Sequence, residues 1–64
     1  MSRAEARETL GITALDEVCK DGLEDLKQAE VRLLEYTKDQ EEQIRIKTTI
    51  KAINTLLKLK DYVA

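Results

Sequence analysis

The sequence predicts an all-α fold: a short N-terminal helix plus an antiparallel helical hairpin, with the hairpins assembling into an oligomeric helical bundle. Three observations lead there. The chain has no Pro and only two Gly. Its apolar residues recur at intervals of three and four, the period of one helix face. One polar stretch, Thr37-Lys38-Asp39-Gln40, separates two strongly apolar segments, and so short a connection makes the helices antiparallel neighbours.

The first helix is expected over residues 3–10. Ser2 with Glu5 three positions on forms a capping-box pattern, Ala4, Ala6 and Leu10 supply apolar positions, and Gly11 suits a left-handed C-terminal stop. So short a helix must dock on the rest to persist.

The second helix is expected over residues 14–38. Thr13 starts it, and Asp16 and Glu17 suit the positive end of its dipole. A seam of Leu15, Cys19, Gly22, Leu26, Ala29, Leu33 and Tyr36 then runs at alternating spacings of four and three. Val18, Leu23, Glu30 and Leu34 flank it. Asp21-Gly22 is also a turn signal, so two shorter helices meeting at Gly22 are the alternative. The unbroken register favours one continuous helix, with Gly22 permitting close approach by the first helix or a partner.

The third helix, over residues 40–62, organises the chain. Asp39 is placed to cap it, and Glu41 and Glu42 fall in its first turn. Ile46, Ile50, Ile53 and Leu57 form one apolar stripe. Ile44, Thr48, Ala52, Thr55, Leu59 and Tyr62 form a second, weaker one. A helix with two such stripes is covered from two sides, and in so short a chain the second cover is expected to be another copy. Ile44, Ala52, Thr55, Leu59 and Tyr62 are therefore the expected oligomer interface.

Composition narrows the class. At 64 residues, with no Phe or Trp and only two Tyr, one small domain with an aliphatic core is expected. Domains of this size need staples, excellent helix packing or partner chains. The single Cys forbids an internal disulfide and the absence of His removes His–Cys metal sites, leaving packing and association. Cys19 reads as a reduced, buried thiol rather than a nucleophile, since no His is present as its base. No apolar run approaches the ~18 residues of a membrane span, and residues 1–5 lack the apolar core of a signal peptide. A soluble, cytoplasmic chain is expected.

Charge is unevenly spread. Residues 1–42 carry six basic and twelve acidic side chains, and residues 43–64 carry five basic and one acidic. A basic helix folded against an acidic one accounts for this asymmetry through mutual attraction. It also disfavours nucleic acid as a partner. The paired acids Asp16-Glu17, Glu24-Asp25 and Glu41-Glu42 lie on expected solvent faces, and adjacent helical residues point about 100° apart. No catalytic residue, metal ligand or cofactor site is expected, and the chain reads as a non-enzyme. The candidate binding feature is the row Lys47, Lys51, Asn54 and Lys58 on the third helix, suited to phosphate contacts. A solvated face paired to acids such as Glu24, Glu30 and Glu35 is the favoured, structural account.

Ala6-Arg7-Glu8-Thr9-Leu10-Gly11-Ile12 resembles the opening helix of J-domains. Asp25-Leu26-Lys27 through Arg32-Leu33-Leu34-Glu35-Tyr36 resembles their second helix, and residues 51–57 loosely resemble the third. That resemblance implies a three-helix adaptor fold. The His-Pro-Asp that stimulates a heat-shock chaperone partner is replaced by Thr37-Lys38-Asp39.

The leading expectation is a small, self-associating, non-enzymatic interaction or regulatory protein, an adaptor or modulator of the kind that viruses and plasmids also encode. Its partners would be itself and another protein. The alternatives are an oligomer that sequesters a small anionic ligand such as a nucleotide between subunits, and a degenerate J-domain-like adaptor.

Overall fold

The computed structural model describes residues 1–13, 18–60 and 62. Its helices are α1 (Arg3–Leu10), α2 (Lys20–Tyr36) and α3 (Gln40–Lys58). Among the described residues, α1 and α2 each pack on α3 and not on one another. The third helix is thus the spine of an all-α fold whose two longer helices pack together.

The caps explain the helix boundaries. Ser2 is extended, and its hydroxyl accepts from the Glu5 backbone N–H at 3.2 Å. At the other end Gly11 lies at φ 72°, ψ 25°. The Gly11 N–H donates to Glu8 O at 3.2 Å and the Ile12 N–H to Arg7 O at 2.9 Å. Those paired bonds are a Schellman motif, which satisfies the last carbonyls of the helix. Asp39 caps α3 by accepting from the Glu41 N–H at 3.0 Å. The linker is drawn onto α3 by the Gln43 side chain, whose Nε2 donates to Thr37 O at 2.8 Å.

Three helix limits differ from those expected, the smallest difference being the end of the second helix at Tyr36 rather than residue 38. The second helix begins at Lys20 rather than near residue 14, because Cys19 is extended at φ −87°, ψ 140°. Helical continuation would place Val18 about 140° around the axis from Leu23, facing away from the core. The extended Cys19 instead lets Val18 pack against the core, as Ile12 does. Leu15, Asp16 and Glu17 lie outside the described residues. The third helix stops at Lys58 rather than residue 62, with Leu59 as its cap and Lys60 at φ 55°.

Gly22 lies inside α2, in its first turn, so the helix does run through it. A methyl group added there would meet only the Cys19 Cβ, at 4.0 Å. With space free and φ negative, Gly22→Ala should stabilise the fold by about 0.5–1 kcal/mol. A raised urea midpoint in dilute solution is the expected reading, and a lowered one would mean that a neighbour presses on Gly22.

The core is aliphatic. Ala6, Leu23, Ala52, Ile53 and Leu56 form one buried cluster, with Leu10, Ile12, Val18, Leu57 and Tyr62 packed around it. Ile46 is buried nearer the linker. The stripe Ile46, Ile50, Ile53 and Leu57 turns inward as expected, two members buried and two half-buried. Leu56, which belongs to neither stripe, is completely buried. It belongs to the buried cluster that draws on α1 through Ala6 and on α2 through Leu23.

Candidate interaction surface

The α2 seam does not face the core. On α2 the buried and half-buried positions are Leu23, Lys27, Glu30 and Leu34, a row at spacings of four, three and four. Lys and Glu join such a row by laying their methylene stems on apolar surface with the charge at the rim. The expected core seam lies roughly a quarter turn away, toward solvent. Cys19, expected to be buried, is instead exposed because it lies on this outer side at the N-cap of α2. Gly22 and Ala29 are exposed too, as are Leu26 at 38%, Leu33 at 52% and Tyr36 at 82%. An exposed apolar row extends along the full length of α2.

A single exposed leucine is ordinary, whereas a contiguous apolar stripe marks an interaction surface. This stripe also carries charges on its outer flank. Asp25 and Arg32 are both exposed, and neither makes an ion pair among the described residues.

The expected interface on α3 is divided by the fold. Ala52 is fully buried within the chain, in the core cluster that also holds Ala6 of α1 and Leu23 of α2, so it is not open to another copy. Thr55 is half-buried, and its hydroxyl donates to Lys51 O at 2.9 Å. Tyr62 packs against the core cluster. Only Ile44 at 65% and Leu59 at 42% exposure are left open to a partner.

The four residues Lys47, Lys51, Asn54 and Lys58 are all exposed along one side of α3. None of the three lysines pairs with Glu24, Glu30 or Glu35, so ion pairing does not account for the row. Nor does it line a concavity. The open groove of about 570 Å³ beside it is walled by Glu24, Lys27, Gln28, Val31, Arg32 and Glu35 of α2, with Leu57 of α3. Those walls mix both signs of charge and have no convergent set of cations.

Among the described residues, no group of three or more His, Cys, Asp or Glu side chains is placed to hold a metal ion. No described helix is long and apolar enough to cross a membrane. Sequence reasoning found the seam but gave it the wrong environment. The signal that could have corrected it is the competing row Leu23, Lys27, Glu30, Leu34, whose bulky ends fill more space than Gly22 and Ala29.

Compared with known proteins, the chain matches no family model, no curated sequence and no solved structure.

Proposed function

We propose that this chain is a non-enzymatic helical interaction module that self-associates through the outer face of α2, serving as an adaptor or modulator. The observation that carries the reading is the exposed row Leu26, Ala29, Leu33 and Tyr36, on a helix whose other face is already engaged with α3. A 64-residue chain buries only roughly 60% of its unfolded surface. Covering this row with a second chain adds to the apolar area removed from water, which supports folding and association together.

Leu33→Lys tests the reading directly. The side chain is half exposed at 52%, so the substitution should change monomer stability by no more than about 0.5 kcal/mol. The expected result is an unchanged helical spectrum with sedimentation as a single chain, against a concentration-dependent larger species for the wild type. A wild type that sediments as one chain up to millimolar concentration would overturn the proposal. So would a Leu33→Lys variant that keeps the wild-type assembly mass.

A further inference from the structure

Resting on that reading, we infer that the occupant of the α2 face is the α2 of a second copy running antiparallel, in a register that sets Asp25 beside the partner's Arg32. The six seam positions Cys19, Gly22, Leu26, Ala29, Leu33 and Tyr36 alternate at spacings of three and four, the heptad pattern by which two helices interdigitate. Their sizes decide the direction. With the helices antiparallel and centred between Gln28 and Lys27, Cys19 meets the partner's Tyr36. Gly22 then meets the partner's Leu33, and Leu26 the partner's Ala29. Each layer sets a small side chain against a large one, as close packing requires.

In a parallel pair each layer would hold like against like. Gly22 against Gly22 and Ala29 against Ala29 leave voids, while Tyr36 against Tyr36 crowds the other end. Charge points the same way. The outward flank of the seam carries Asp25 and Arg32, seven residues apart. In the antiparallel register these flank positions face each other twice by symmetry, giving two opposite-charge pairs. A parallel pair would instead bring Asp25 toward the partner's Glu30, which is repulsive. Asp25 and Arg32 are exposed and make no ion pair among the described residues, so both are available for this contact. The two-fold relation also closes the assembly at two chains across this face.

Interchain crosslinking in the full chain tests the register. Cys19 is the single cysteine and is exposed. Tyr36→Cys, oxidised with glutathione disulfide, should give a covalent dimer whose peptide map shows position 19 of one chain joined to position 36 of the other. Links joining 19 to 19 and 36 to 36 would overturn the antiparallel direction. So would an absence of any link in a variant that still sediments as the wild-type dimer.

A charge exchange provides the second readout. Asp25→Arg and Arg32→Asp should each raise the dissociation constant about tenfold, because each converts two attractive pairs to repulsive ones. An equimolar mixture of the two variants should regain wild-type affinity as a heterodimer. Equal affinity in the variants and the wild type would overturn the register while leaving self-association through α2 intact. A wild type that never associates would instead remove the functional reading on which the register rests.

Discussion

Leu56→Ala should leave the chain largely unfolded at room temperature. Leu56 is one of the two largest side chains with no exposure to solvent, the other being Ile53. Truncating a buried leucine costs about 2–5 kcal/mol, through lost transfer energy and the cavity left behind. A core of this size rarely supplies more than about 3–5 kcal/mol in total. One substitution therefore removes most of the margin. Leu57→Ala, at a half-buried neighbouring position, should cost less and leave a cooperative transition at a lower temperature. Thermal melts followed by circular dichroism separate the two. Equal melting temperatures would mean that Leu56 is not where α1, α2 and α3 converge.

Ala6→Asp should detach α1. Ala6 is the only fully buried residue of α1, so any larger side chain at that point meets the core cluster. A carboxylate there must either lie unpaired in an apolar setting, which is strongly unfavourable, or draw the helix away. An eight-residue helix does not hold itself together in water, so undocked α1 melts. The expected outcome is loss of amide protection across Arg3–Leu10 and a destabilisation of about 2 kcal/mol or more. Ala4→Asp is the control. Ala4 is exposed in the first turn, where negative charge suits the helix dipole, and its stability should be unchanged or slightly raised. Similar behaviour in both variants would mean that α1 is not anchored through Ala6.

Much of this fold was legible in the residues. Ser2 and Glu5, Gly11, and Asp39 carry their instructions locally, through hydrogen bonds to backbone a few positions away, so α1 and the start of α3 follow from sequence alone. The stripe Ile46, Ile50, Ile53 and Leu57 was legible because it has no competitor on its side of α3. The face of α2 was not. Two rows of similar period lie a quarter turn apart on it, and the choice between them depends on how Leu23 and Leu34 fit against α3. That is a tertiary fact which no spacing rule contains. The same is true of Ala52, which is buried in the chain's own core cluster rather than left for another chain, and of Val18, which packs against that cluster beside the extended Cys19.

The candidate surface was legible in identity and not in setting. Its heptad spacing could be read directly, but the spacing of a core seam and that of an intermolecular seam are the same. What distinguishes them is whether the chain has a further element left to cover the row. Here α1 is spent on α3, and the row on α2 has none among the described residues.

The position of α3 between the other two helices also orders the events of folding. Its pairing with α2 closes over the linker Thr37-Lys38-Asp39, a short loop with little entropy to lose. Its pairing with α1 spans the whole of α2 in sequence, a far longer closure. The hairpin is therefore the natural nucleus, and α1 arrives late on a surface that Ala52 and Leu56 have already prepared. During synthesis the same geometry has a directional consequence. Residues 3–10 leave the ribosome before α3 does, and α1 packs on α3 rather than on α2, so this small fold is completed only after α3 is made.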